Sequence, residues 1–449
     1  MPARHRSVMP WSSLFLFFLA TTDARAQFDY VNGWDGQLFP SYLIATATMR
    51  PDASEAAPNS AENQGQENSD KESPATEDQE QGEGEGEEQQ DGAPEDADET
   101  DDEETTLGDA DSKCLLGIYV TADEDNTPIA VEIEAPGFIE ASPWSGVLEK
   151  ANTEYKIFPA LKLNFKALLA NTQTVPIAVT YRMWLGDDDA VEHTINMTLR
   201  SINDCPTVIA YDKEGVEDIS YMFAAYVNEQ HPFVDKILRE SLDKGVVEAF
   251  DGYQSGNAEN VIRQVYAIWD ALSHRDVRYS SITASAAVNK MVASQHVRFI
   301  DQSINNAQAN CVDGSALMAS LLRKIEIETA LVLVPGHCYL AFALDPEGKQ
   351  WMGMETTLIG KKNVDVPPDV ENDKIVDPKF QRTNSWLTFR LALDIGNKNL
   401  KEHMPKFEKK DSLDSLAYRL ISVSHARHMG ILPIAFNSGE RLNSLDRKP

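Results

Sequence analysis

Cysteine is scarce: the 449 residues hold four, at positions 114, 205, 311 and 338. So few exclude a disulfide scaffold as the source of stability. Beyond residue 26 there is no apolar run of about 18 residues, the least that spans a bilayer, so no transmembrane segment is expected in the mature chain. Glycine-rich phosphate loops, zinc-type Cys/His spacing and EF-hand-like loops are also missing, so no cofactor and no metal are expected. Positive charge is outnumbered, with 40 Lys and Arg against 72 Asp and Glu and a net charge of −32. Without a basic face to seek phosphates, a nucleic-acid partner is disfavoured.

The acidity is local. Residues 51–112 hold 24 Asp and Glu against one Lys, so −23 of the −32 sits there, and they contain no Phe, Trp or Tyr. Such a tract cannot bury enough apolar surface to offset its ordering entropy, so it is expected to be a disordered linker. Ahead of it, Arg4 and Arg6, a short apolar run over 11–20 and Ala24-Arg25-Ala26 have the layout of a signal peptide over 1–26. The mature protein is therefore expected to be periplasmic or extracellular. Residues 27–50 are aromatic and β-prone, and are expected to dock on the folded body as a strand.

From 113 to 212 the pattern is short strands rich in β-branched and aromatic residues, separated by turn signals such as Gly186-Asp187. That predicts a small β-sandwich-like domain. Cys114 and Cys205 lie near its two ends. A bridge between them is expected, stabilising by roughly 4–5 kcal/mol on a chain-entropy model; the alternative is two buried free thiols. Residues 213–375 form the next unit, with helices expected over Val216–Asn228, from His231-Pro232 and over Asn257–Ser273. A C-terminal helical extension is expected over 376–449.

The candidate chemistry lies between 310 and 357. Asn310 suits an N-cap, which puts Cys311 at the first position of a helix carrying Leu317, Met318, Leu321 and Leu322. Unpaired N–H groups and the helix dipole favour a thiolate there and can hold an oxyanion. A buried strand over Thr329–Val334 breaks at Pro335-Gly336, and His337 follows; 26 residues of separation allow a helix, a turn and a returning strand. If the turn at 345–349 pairs Leu344 with Gln350, then Glu355 faces Tyr339, on the His337 side of the sheet. Such diagonal neighbours lie within reach of a long side chain, and a slip of one residue would put Glu355 on the other face. Cys338 then points away from His337, as a small buried residue.

These segments, with Tyr279-Ser280-Ser281 and Asn310-Cys311-Val312-Asp313-Gly314, resemble the transglutaminase-like superfamily, a branch of papain-type cysteine chemistry. The resemblance covers roughly 257–360. It implies an α+β fold with a transglutaminase-like domain behind the β-sandwich, Cys311 as nucleophile, His337 as general base and Glu355 as the third member, where the family usually has Asp. Gln302 is a candidate oxyanion-hole amide. The implied activity is attack on an amide bond through a thioester, giving acyl transfer, deamidation or proteolysis of a protein or cell-wall peptide. The competing expectation is a catalytically silent interaction or scaffold protein of the cell envelope.

Overall fold

The computed structural model of the chain describes residues 26–47, 105–108, 115–211, 215–281, 290–364, 374–407 and 416–435. The signal-peptide expectation, up to residue 25, and most of the acidic tract lie outside them. Helix and strand are mixed throughout, an α+β arrangement.

The N-terminal half is built from two sheets. One runs in the order Ala26–Asn32, Leu116–Ala122, Glu154–Ile157, Thr105–Leu107. The other has six strands in the order Gln37–Leu38, Val191–Leu199, Val175–Leu185, Thr127–Ala135, Ile139–Leu148, Lys162–Leu163. Period-two burial orients them: Ile129, Val131, Ile133 and Ala135 are all buried on one face. The N-terminal strand docks as its aromatics require. It pairs antiparallel with Leu116–Ala122, Tyr30 lies 5.1 Å from the Tyr181 ring, and Tyr181 OH donates to Val31 O at 2.7 Å.

Two boundaries and one pairing differ from expectation. The acidic linker was drawn too long, because Thr105–Leu107 pairs in parallel with Glu154–Ile157 and partly buries Leu107. The strand Asp204–Tyr211 belongs to neither sheet above; it pairs with Gly215–Asp218 and Val292–His296 and so joins the following unit. The Cys205 thiol on this strand is free, buried and turned into the core, where burial and then Asp204 push it up well above a usual thiol. Cys114 lies outside the described residues, and the expected bridge is absent at its Cys205 end.

The C-terminal half is organised on an antiparallel sheet in the order Trp351–Met354, His337–Ala343, Thr329–Val334, Arg419–Ser422. Its central strands are covered on both sides, which is why they read as continuous apolar runs. Leu331, Cys338, Leu340 and Phe342 belong to the main core with the helix Cys311–Lys324. Val332, Tyr339 and Ala341 form a second cluster with Leu400, from the helix Asn384–Phe407. The C-terminal region is thus no appendage. Its helix covers one face and Arg419–Ser422, within a stretch expected to be helical, supplies the fourth strand.

Two helices follow the sequence closely. Asn257 caps Ala258–His274 by accepting from Glu259 N at 2.9 Å, and Pro232 opens Pro232–Asp243. Val216–Asn228 does not: it is a strand, Gly215–Asp218, and a 3-10 turn, Ser220–Tyr226.

Candidate active site

The Cys311 helix is buried almost all round, from Val312 to Leu322. Small residues permit this. Gly314 has Thr356 where a side chain would go, with Oγ1 3.2 Å from the ideal Cβ position. Ser315 Oγ donates to Cys311 O at 2.8 Å and sits 3.1 Å from Thr356 Oγ1. The helix start is therefore fastened to the segment that carries Glu355.

Its N-terminus closes as a capping box. Asn310 Oδ1 accepts from Asp313 N at 2.8 Å, and Asp313 Oδ2 accepts from Asn310 N at 2.9 Å. The Asp313 side chain is fully buried and pairs with Arg298, whose N donates to Oδ1 and whose Nη1 donates to Oδ2, both at 2.8 Å. The first backbone bond of the helix runs from Gly314 N to Asn310 O at 2.9 Å. The N–H groups of Cys311 and Val312 precede that bond and so have no acceptor within the helix.

His337 is delivered by a two-residue hairpin turn. Val334 pairs with His337 across Pro335-Gly336, and Gly336 takes φ +70°, as the third position of a Pro-Gly turn of type II demands. The next hairpin has the register expected from sequence. Leu344 N donates to Gln350 O at 2.8 Å, and Leu340 pairs with Met354, so Glu355 comes one step beyond, opposite Tyr339.

The outcome is a 2.7 Å bond from His337 Nε2 to Glu355 Oε2. Cys311 lies close enough to the same imidazole to raise its pKa, and Nδ1 is the ring nitrogen that Glu355 leaves free. Bonds with Cys311, then Glu355, push His337 from 6.5 up to about 10, against burial, which opposes them. On Glu355 burial is the largest single influence and acts upward. The hydrogen bonds from His337 and Thr357 together outweigh it, and the carboxyl ends below the usual glutamate range. Both partners therefore favour an imidazolium–carboxylate pair.

The Glu355 side chain folds back over the turn that follows it. Glu355 caps the 3-10 turn Thr356–Leu358, with Oε1 accepting from Thr357 N at 3.1 Å and Thr357 Oγ1 at 2.6 Å. Both carboxylate oxygens are thus held, Oε2 by His337 and Oε1 by Thr357.

Gln302 is committed elsewhere. Its Oε1 accepts from Asn203 Nδ2 at 2.7 Å and from Phe299 N at 2.9 Å, and its Nε2 donates to Asn203 Oδ1 at 3.3 Å. The amide ties the Asp204 strand to the helix Ile300–Asn306 and is not joined to the Cys311–His337–Glu355 cluster. Cys338 points into the core as expected; burial, then the neighbouring Cys311, push its thiol up.

Asp313 and Tyr279, which entered only as parts of the quoted segments, take structural places beside the cluster. Asp313 stands three residues after a capping Asn and closes the helix start. Arg278–Tyr279 pairs in parallel with Gln308–Ala309, immediately before the Cys311 helix. Burial, then the charges of Cys311 and Glu355, push the Tyr279 phenol up.

Among the described residues, no group of three or more His, Cys, Asp and Glu side chains is arranged to hold a metal, and no helix is long and apolar enough to cross a membrane. No known family model matches the chain, and no curated protein matches it in sequence.

Proposed function

We propose that the chain is an exported, transglutaminase-like cysteine enzyme that cleaves or exchanges amide bonds through a thioester. The observation that carries this is an imidazole held at Nε2 by a buried carboxylate and raised in pKa by a cysteine that opens a helix. A lone cysteine or histidine is usually structural; the three groups in series make an activated nucleophile.

In the proposed cycle the Cys311 sulfur, paired as thiolate with the His337 imidazolium, attacks the amide carbonyl carbon. The carbonyl electrons move to oxygen, and the Cys311 and Val312 N–H groups hold the resulting oxyanion. As the C–N bond breaks, His337 gives its Nδ1 proton to the nitrogen and a free amine or ammonia leaves. The thioester is then attacked by water or by a second amine, with neutral His337 removing the proton. The products are an acid or a new amide, and the thiolate–imidazolium pair returns. Glu355 stays ionised throughout and holds the ring in place.

The test is alkylation of the whole protein by iodoacetamide at about pH 6, read by peptide mass spectrometry, where an unactivated thiol with pKa near 8.5 is almost unreactive. Selective labelling of Cys311, slowed about 10²-fold or more by His337→Ala, is expected of a general-base pair. A Cys311 no more reactive than a free thiol, and indifferent to His337→Ala, overturns the enzyme and leaves the scaffold protein.

A further inference from the structure

We propose that the substrate presents carboxylates beside the amide under attack, recognised by Arg278, Lys361 and Lys362. The proposal rests on Cys311 being an amide-directed nucleophile, and adds the class of its substrate.

A cleft of ≈ 500 Å³ opens beside His337, with Arg278, Tyr279, Lys361 and Lys362 in its wall. Among the described residues, no Asp or Glu lines it. Outside the acidic tract the chain carries about −9, so an all-basic wall is a local reversal of sign. Among the described residues the carboxylate paired with these cations is Asp276, 2.5 Å from Arg278 Nη2 and 3.9 Å from Lys362 Nζ. Of the described residues, then, one carboxylate faces three cations at the rim. A concave site of one sign concentrates ligands of the opposite sign and speeds their arrival.

The rim is built into the fold. Arg278 leads the two-residue strand that pairs with Gln308–Ala309, so its backbone is fixed relative to Asn310 and Cys311. Lys361 and Lys362 follow Gly360, whose φ of +63° and close approach to the Val277 carbonyl leave no room for a Cβ. Asn384 Nδ2 donates to Lys361 O at 2.7 Å and holds the loop from the far side. The two basic segments are thereby fastened to each other across the peptide next to Arg278. Leu358 and Ile359, between Glu355 and the lysines, are buried and anchor the turn.

An extended peptide whose carbonyl carbon meets Cys311 would run its neighbouring residues past this rim. Glutamate or aspartate there would pair with the cations, whereas lysine or arginine would be repelled. The interaction is exposed and strongly screened by salt.

The experiment uses the full chain and two probes. Iodoacetate and iodoacetamide alkylate the same sulfur with the same leaving group but differ in charge, so the ratio of their rates reports the field at Cys311. The imidazolium contributes to that ratio, so the decisive quantity is its change on substitution. Lys361→Gln/Lys362→Gln is expected to lower the ratio about three- to tenfold at low ionic strength, Arg278→Gln to lower it further, and about 1 M salt to erase the difference. In parallel, a short oligoglutamate should slow iodoacetamide labelling of Cys311 several-fold, and an oligolysine of equal length should not. A ratio insensitive to the three substitutions, or equal effects of the two oligomers, overturns the acidic-substrate proposal and leaves the nucleophile standing. A Cys311 unreactive toward both reagents overturns the nucleophile, and the proposal with it.

Discussion

Gly353 and Gly396 meet backbone to backbone: a Cβ on either would overlap the peptide of the other. This contact sets how closely the helix Asn384–Phe407 lies on the Trp351–Met354 strand. Asn397 Oδ1 accepts from Gly353 N at 2.9 Å, and Ala392 O accepts from Glu355 N at 2.9 Å, so the same seam fixes the backbone of the third site residue.

Gly353→Ala and Gly396→Ala are therefore each expected to destabilise the fold by about 2–3 kcal/mol, the upper part of the range for overpacking, because the opposing atoms are backbone. Because the clash is shared, the double variant should cost clearly less than the sum of the two. Urea unfolding of the three variants checks this. Additive losses would mean that the two glycines are tolerated independently.

Sequence made the site legible wherever a local rule applied. Asn310 capped its helix, Pro335-Gly336 ended its strand, and the Asp345–Lys349 turn set a register that places Glu355 opposite Tyr339. Those are short-range geometries, fixed by residues a few positions apart. What stayed hidden depended on partners far along the chain. The pairing of Arg278–Tyr279 was hidden because its partner strand is about 30 residues away. Arg419–Ser422 sat inside a helix-like pattern, yet a free sheet edge claimed it. Gln302 had the right chemistry for an oxyanion-binding amide, and Asn203, about 100 residues earlier, engaged it. The Cys205 thiol likewise went to the core rather than to the expected bridge.

The His337–Glu355 pair makes stability depend on pH in a window bounded on both sides. His337 has its folded value raised from 6.5 to about 10, so its contribution is complete below 6.5 and is lost as pH rises toward 10. Glu355 has its folded value lowered from 4.5, so its contribution is present above 4.5 and is lost as pH falls below that. The difference in unfolding free energy between the natural chain and Glu355→Gln should thus be largest between 4.5 and 6.5 and shrink toward pH 10. Chemical denaturation at several pH values measures it. A difference that grows steadily with pH above 6.5 would contradict the ion pair.

Arg298 and Asp313 hold the helix start from behind. The Asp313 carboxylate is fully buried and receives three donors, Arg298 N, Arg298 Nη1 and, in the capping box, Asn310 N. Removing one partner leaves the other buried and unpaired. Arg298→Met is therefore expected to cost about 3 kcal/mol, the lower end for breaking a buried pair. It should also slow Cys311 alkylation, because the helix N-terminus frays before the rest of the helix. Hydrogen exchange at 310–314, faster than at 317–322 in the variant, would show this; uniform acceleration would mean global destabilisation only.

Glu355 itself separates charge from reach. Glu355→Gln keeps an oxygen for Thr357 but removes the negative charge beside His337, so the imidazole should titrate well below about 10, which NMR of the ring can follow. At about pH 8 the imidazolium would then be depleted, roughly tenfold for each unit that His337 falls below the working pH. The leaving nitrogen would lose its proton donor in the same proportion. Glu355→Asp keeps the charge and shortens the arm. Since the present arm bonds Thr357 and His337 with opposite oxygens, the shorter residue must give up one of the two. If it keeps His337, amide turnover should fall by less than in Glu355→Gln and His337 should still titrate above 6.5. The expected order of activity is natural chain, then Asp, then Gln. An Asp variant as weak as the Gln variant, with His337 back at its ordinary value, would show that the turn at Thr357 holds the carboxylate more tightly than the imidazole does.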